Sequence, residues 1–344
     1  MYKNNIISQN IMVSVLMTVY RDEEYLEQAI ESIINQTYSN FEFIIIKEFG
    51  TDKKTEQILE KYQNIDSRIY IYSNDKKLGF AASLNKGLEL AKGKYIFRMD
   101  GDDISVSDRF AIQIDYMEKH PELLLCGGYT KYLYMDGRKG SISDYPITSE
   151  DIRNSTLFYV PFAHPTVCFN RFALDKNNIK YSEEYRTEDY ELWSRLVYLY
   201  ETANIPQVLL KYRIHASNAT SIYQTKVDES ERRVRANIVR KFIPKYKSNY
   251  FDLGNFRSDT DLRYTEEILY QLFSENRDVF TSTRFLRRKM REVYFSSSKN
   301  NIVTNPFRRY WKNFSSLEKN SFSKYFTDWI YFKYHSIRDL AGED

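Results

Sequence analysis

Asp100-Gly101-Asp102-Asp103 places three carboxylates in four residues, directly after Lys94 to Met99, an apolar stretch that reads as a strand. Carboxylates this crowded repel one another unless something positive sits among them. A hard divalent cation, Mg²⁺ or Mn²⁺, meets that need with oxygen ligands. It often takes only one or two protein carboxylates and leaves its other positions to water and phosphate oxygens. The spacing therefore suggests an ion shared with a phosphorylated ligand. A solvated turn after a strand has the same composition, and the tetrapeptide alone leaves that reading open. An EF-hand is a poor match: counting from Asp100, the fifth position is Ile104 and the sixth is Ser105, where that loop needs an oxygen ligand and then a glycine.

The elements that would position this cluster are written in the preceding hundred residues. Val13 to Val19 is a short valine-rich run leading into Tyr25, Leu26, Ala29, Ile30, Ile33 and Ile34, whose steps mark one face of a helix. Phe41 to Ile46 is a second apolar run, followed by a turn at Gly50-Thr51-Asp52 and a helix with Ile58, Leu59 and Tyr62 on one side. Ile69 to Tyr72 is a third strand, Ala81, Leu84, Leu88 and Ala91 form a helix face, and Gly93 closes that helix before the strand that ends at Asp100. Four strands with intervening helices predict an α/β fold with a mostly parallel sheet covered on both faces.

In open sheets of this kind, ligands bind beyond the carboxyl ends of the strands. Polar residues gather there: Thr18, Tyr20, Arg21 and Asp22 after the first strand, Lys47, Glu48, Thr51 and Asp52 after the second, Asn74 to Lys77 after the third, and the acidic cluster after the fourth. One crevice at that edge would hold a base, a ribose, a diphosphate and an ion.

Five segments occur in a telling order: Val13 to Tyr20; Ser32 to Tyr38; Gly50-Thr51-Asp52; Asn85-Lys86-Gly87 with Ala91 to Ile96; and the acidic cluster. Downstream lie Arg109 and Gln113, then His164-Pro165-Thr166, Glu188 to Trp193, and Tyr212-Arg213-Ile214-His215. Together they resemble the family 2 inverting glycosyltransferases of GT-A fold, over roughly residues 11 to 222. The resemblance implies a GT-A domain at 11–222, with a nucleotide-sugar half at 11–103 and an acceptor half at 104–222. A helical C-terminal extension follows at 223–344.

The resemblance also assigns roles. Asp102 would ligate Mn²⁺ or Mg²⁺, Asp100 would face the ion or the ribose, and His215 would complete the site; Asp103 is the least defined of the three aspartates. Thr18, Tyr20, Glu48, Asp52, Lys77, Asp100 and Arg213 would bind the donor, Arg213 as a forked donor to phosphate oxygens. Glu48 would accept from a nucleobase imide. Asp189 would be the base that deprotonates the attacking hydroxyl. Glu188, His164 and Trp193 would meet the acceptor. Each has a plain alternative: acidic residues suit a helix N-terminus, a histidine beside proline packs in loops, and Lys77 in a polar turn is ordinarily solvated. Two departures bear on the substrate. The first loop carries Thr18 and Arg21 where many members have proline and asparagine, and Lys47-Glu48 stands where many have paired aspartates. A uridine nucleotide carrying a hexose or N-acetylhexosamine is the expected donor, and a glycan or lipid-linked oligosaccharide the expected acceptor.

The chain has 344 residues, 42% of them hydrophobic, enough for a substantial core, and its net charge of +3 is uninformative in itself. The distribution is more telling. Residues 284–312 carry nine Lys or Arg and one acidic residue, a local +8 that leaves −5 to the rest of the chain. Further on, Phe322, Tyr325, Phe326, Trp329, Ile330 and Lys333 form a helical stripe. This region either packs on the catalytic domain or a second copy in a homo-oligomer, or it contacts an anionic membrane surface through residues 284–344. No nucleic-acid fold signature accompanies the basic patch. No run of eighteen apolar residues is present, and the first apolar stretch is broken by Ser14 and Thr18. These features predict a cytoplasmic protein, held peripherally to the inner face of the membrane. Cys126 and Cys168 have neither metal spacing nor a disulfide framework and are read as buried thiols.

Two other classes compete. A sugar-1-phosphate nucleotidyltransferase shares a similar sheet but typically needs a glycine-rich basic loop after the first strand, whereas Thr18 to Glu24 has no glycine and three acidic residues. A catalytically silent sugar-nucleotide or glycan-binding protein would tolerate loss of Asp189.

Overall fold

The computed structural model describes residues 11–21, 24–215, 223–253 and 259–281. In chain order the elements are β1 (Val13–Val19), α1 (Leu26–Ile34), β2 (Phe41–Lys47), α2 (Lys53–Ile65), β3 (Ile69–Ser73), α3 (Phe80–Leu90), β4 (Tyr95–Met99), β5 (Ile104–Ser105) and α4 (Arg109–Lys119). There follow β6 (Leu123–Tyr134), β7 (Ile142–Ser143), α5 (Ser149–Thr156), a 3₁₀ turn at His164–Thr166, β8 (Cys168–Asn170), α6 (Arg171–Lys176), α7 (Glu188–Leu196), β9 (Glu201–Ile214), α8 (Gln224–Phe242) and α9 (Asp259–Glu275).

The alternating N-terminal pattern produces the parallel half of the sheet. β1 pairs with β2 and β4, and β2 with β3, all parallel, in the order β3-β2-β1-β4. Beyond β4 the sheet is mixed. β8 enters antiparallel to both β4 and β6, β9 runs parallel to β6, and β5 closes the edge antiparallel to β9. Within that half β5, β7 and β8 are only two or three residues long, too short to show a period in the sequence.

Successive residues of β1, β2 and β4 face opposite sides, so one chain feeds two cores. Val13, Val15, Met17, Phe43, Ile45, Phe97 and Met99 pack under α1 and α4. Leu16, Ile44, Ile46 and Ile96 pack with α3 and the α7 residues Leu192, Trp193 and Leu196. Burial on both faces explains why these strands read as continuous apolar runs. Gly93 does not end α3, whose C-cap is Ala91. A Cβ at Gly93 would lie 2.4 Å from the Ser14 nitrogen and the Val13 carbonyl carbon, so the glycine lets the chain pass against β1. Its N–H donates to Ser14 Oγ at 2.8 Å. Cys126 and Cys168 are register partners across β6 and β8, both buried and free.

The chain divides into two compact units, one holding Val160–Val227 and the residues before Arg153, the other Arg153–Tyr159 and the chain from Asp228. In the second unit α8 and α9 are amphipathic, with Val234, Ile238, Val239, Leu262, Leu269 and Leu272 buried. The basic segment 284–312 and the stripe from Phe322 to Lys333, with the membrane and oligomer expectations attached to them, lie outside the described residues.

Candidate active site

The loop from β4 to β5 carries the acidic cluster, and β9, paired antiparallel to β5, brings its last residues against that loop. Asp100, Asp102 and Asp103 each present a carboxylate oxygen within 4.8 Å of the others. Asp103 is 1% exposed; its Oδ1 accepts the Arg213 backbone N–H at 2.8 Å, while its Oδ2 is buried with no hydrogen-bond partner among the described residues. Burial raises the Asp100 and Asp103 carboxyls above their ordinary value, Asp103 far above, and repulsion within the cluster adds to it. An orphaned carboxylate oxygen beside two more carboxylates is a donor set for a hard cation, so the cluster fits a divalent metal. His215 joins the group, its Nε2 lying 3.1 Å from Asp102 Oδ2.

Arg213 is placed differently from the sequence expectation. Its Nε donates to the Asp102 carbonyl at 2.7 Å and its Nη2 to Gln28 Oε1 at 2.8 Å, with the guanidinium 4.4 Å from the Tyr25 ring centroid. At 3% exposure it is a latch tying β9, the acidic loop and α1 together.

Glu48 is also spoken for. Its carboxylate receives the N–H groups of Phe49 at 2.8 Å, Leu78 at 3.2 Å and Gly79 at 2.7 Å, and longer contacts from Asn74 and Ser83. Five protein donors thus surround a carboxylate with about four lone-pair sites, at the position where a nucleobase contact was expected. Burial alone would raise this carboxyl, but those donors outweigh it and hold it below its ordinary value. Asp52 likewise caps α2, accepting from the Thr55 N–H at 2.9 Å and its hydroxyl at 2.7 Å. Thr18 is half-buried in β1 opposite Ile46. Tyr20 is exposed beyond β1 and gathers two cations on its ring, Arg21 at 4.9 Å and Lys77 at 5.9 Å.

A second group of carboxylates begins α7, and Glu188 there feels the Asp100 charge. Glu188 and Asp189 occupy the first turn of α7, where the free N–H groups of a helix favour carboxylates. Asp189 Oδ1 accepts the Tyr190 N–H at 2.7 Å. Burial raises the Glu188 carboxyl to about 8, with the Asp189 charge adding to the shift and Arg98 pulling against it. Trp193, expected at the acceptor, is fully buried, its ring 5.3 Å from Phe162, 5.8 Å from Phe169 and 6.0 Å from His164. Helical spacing puts it there: five residues past Glu188, its side chain turns to the core face of α7. His164 is 8% exposed, its Nε2 2.8 Å from the Tyr181 hydroxyl, and burial beside Arg98 lowers its pKa well below the usual range.

Arg98 escaped the sequence reading, although a charge inside the apolar run of β4 is a visible signal. It is 3% exposed, with its Nη1 against an Asp100 carboxylate oxygen. Arg109 and Gln113 form a buried pin beneath it. Arg109 donates to Gln113 Oε1 and to the Arg98 carbonyl, both at 2.9 Å, and Gln113 donates to the Thr166 carbonyl at 2.9 Å.

Residues 14–178 match the model of glycosyl transferase family 2. An uncharacterized glycosyltransferase of Haemophilus influenzae is 30% identical over 290 residues, covering 80% of this chain and 89% of its own. The UDP-Gal:alpha-D-GlcNAc-diphosphoundecaprenol beta-1,3-galactosyltransferase of Escherichia coli is 29% identical over 254 residues, 71% of this chain and 86% of its own. In fold, the chain resembles S. aureus TarS 1–349 in complex with UDP-GlcNAc, with a TM-score of 0.55, 16% identity, and coverage of 87% and 83% of the two chains.

Proposed function

The chain belongs to glycosyl transferase family 2, and from that premise we propose that it transfers a hexosyl or N-acetylhexosaminyl group, with inversion, from a nucleoside diphosphate sugar to a glycan acceptor. The observation that carries this reading is the acidic cluster together with the carboxylates that begin α7. The Asp100–Asp103 cluster, with its orphaned Asp103 oxygen, follows β4, and Glu188 and Asp189 lie in the first turn of α7, where the Asp100 charge is felt by Glu188. Arg98 is electrostatically in reach of both.

Asp102, Asp100 and His215 would hold Mn²⁺ or Mg²⁺. Bound there, the ion supplies Lewis acidity for the departing diphosphate. Tyr20, Arg21 and Lys77 offer a ring and two cations close together, suited to a nucleobase and phosphates; the UDP-Gal donor named for the E. coli relative supports a uridine nucleotide. Asp189 accepts the proton of the acceptor hydroxyl as it attacks opposite the leaving group, its carboxylate held by the Tyr190 N–H. Glu188 keeps the proton of the carboxyl pair near neutral pH and donates it to the acceptor as a hydrogen bond. The catalytic domain on this reading is residues 11–222, and 223–344 is an extension. A lipid-linked surface-polysaccharide precursor is the acceptor we favour, in keeping with the diphosphoundecaprenol substrate named for the E. coli relative. No helix among the described residues is long and apolar enough to cross a membrane.

The test is a binding and hydrolysis screen of UDP, GDP, CDP and dTDP sugars with Mn²⁺ or Mg²⁺, comparing wild type with Asp102→Ala and Asp189→Asn. Metal-dependent selection of one donor, lost in Asp102→Ala and kept without turnover in Asp189→Asn, is expected. Equal, metal-independent affinity in all three proteins would refute the assignment.

A further inference from the structure

A guanidinium cannot shed its charge inside a protein, so a buried one must be matched with partners. Arg98 is not fully matched. It is 3% exposed; its Nη1 is ion-paired with Asp100 without a hydrogen bond's geometry, and its buried Nε has no hydrogen-bond partner among the described residues. The carbon skeleton is fixed by neighbours: the backbone N–H donates to the Val167 carbonyl at 2.9 Å, the carbonyl receives Arg109, and the guanidinium lies 5.4 Å from the Phe80 ring centroid. Phe80 itself is 40% exposed and stands edge-on to His164 at 6.4 Å.

Position decides what the missing partner is. Arg98 faces the α3 and α7 side of the sheet, as its register partner Leu16 does. It touches Asp100 of the acidic cluster, and its charge is felt by Glu188 and by His164 and Tyr181. If the diphosphate sits at the cluster and the acceptor at α7, the group between them is the sugar being transferred. A sugar ring offers hydroxyl acceptors to a guanidinium and an apolar face to an exposed phenyl ring. Both stand here together.

We propose that Arg98 binds the transferred sugar of the donor, completing its guanidinium hydrogen bonds on a sugar hydroxyl, and that with Phe80 it selects which sugar is accepted. This rests on the glycosyltransferase reading above and goes beyond it by naming the contact. A cation placed only to restrain Asp100 would affect nucleotide and nucleotide sugar alike. A sugar contact would not.

The experiment is calorimetric titration of wild type, Arg98→Gln and Arg98→Lys in Mn²⁺ with UDP, and with whichever of UDP-glucose, UDP-galactose and UDP-N-acetylglucosamine the wild type binds best. The expected result is that Arg98→Gln binds UDP within twofold of wild type and the UDP-sugar roughly ten- to a hundredfold more weakly, the scale of one hydrogen bond to a charged group. Arg98→Lys should fall between the two. Equal losses for UDP and UDP-sugar, or no loss for either, would overturn the proposal. If Arg98→Gln does not fold, the same ratio measured on Arg98→Lys decides the matter, because lysine keeps the charge and loses the fork. A wild type that binds neither UDP nor any UDP-sugar would instead sink the donor reading itself, and this contact with it.

Discussion

Replacing Asp103 by asparagine should stabilise the metal-free protein and weaken its response to metal. The worked magnitude comes from the cluster. At 4.8 Å, the outer limit of the carboxylate separations, each ionised pair repels by about 3.5 kcal/mol at an effective dielectric constant of ~20. Asp103 faces two such neighbours, offset in part by Arg98. Taking up a proton instead costs about 1.4 kcal/mol for each pH unit above the ordinary value of 3.8, or at most about 5 kcal/mol at pH 7.5. Protonation is the lower-energy course, in keeping with the raised direction. The sign follows: with the folded value above the unfolded one, stability is complete below pH ~4 and declines as pH rises toward the raised folded value. Asparagine keeps the oxygen that accepts the Arg213 N–H at 2.8 Å, and it presents an amide in place of the orphaned oxygen. In EDTA, Asp103→Asn should therefore melt several degrees above wild type at pH 7.5, at roughly 2–4 °C per kcal/mol, and close to wild type near pH 4.5. Adding Mn²⁺ should raise the wild-type midpoint by more than the variant's. Thermal scans followed by circular dichroism measure all of this. A variant that melts below wild type in EDTA at pH 7.5, or a difference independent of pH, would refute the account of the cluster as a frustrated cation site.

Three further outcomes follow from neighbouring residues. Trp193→Ala should cost about 3–5 kcal/mol, the range for a fully buried aromatic, seen as a lowered urea midpoint; unchanged stability with a specific rise in acceptor KM would restore the acceptor role expected of it. Glu48→Ala strands the N–H groups of Phe49, Leu78 and Gly79, which should cost about 2–4 kcal/mol and open residues 74–79 to limited proteolysis. With a folded value held below its ordinary one, the Glu48 contribution is present above pH ~4.5 and lost on acidification. Glu188 sits at about 8, so the wild-type transfer rate should fall as pH rises through that value. Glu188→Gln, which imitates the protonated carboxyl, should remove that limb; an unchanged profile in the variant would take Glu188 out of the reaction.

Each of these residues marks a limit of local reading. The parallel half of the sheet was legible because buried strands and amphipathic helices announce themselves by period, and the convergence of the three aspartates because they lie within four residues of one another. Residue type led Arg213 and Glu48 to be read as donor contacts, and it could not supply their partners within the fold, which are chosen by distant register: β9 reaches the acidic loop from 110 residues away through its pairing with β5, and Gly79 reaches Glu48 across 31 residues. Arg98 carries the opposite lesson. A lone charge in an apolar strand is costly, and its position in the parallel register already placed it with Leu16 on the α3 face. Only the return of α7, ninety residues later, puts Glu188 within reach of the same charge. A buried charge that local sequence leaves unmatched is thus best read as the near half of a contact, whose other half is supplied by a distant segment or by the substrate.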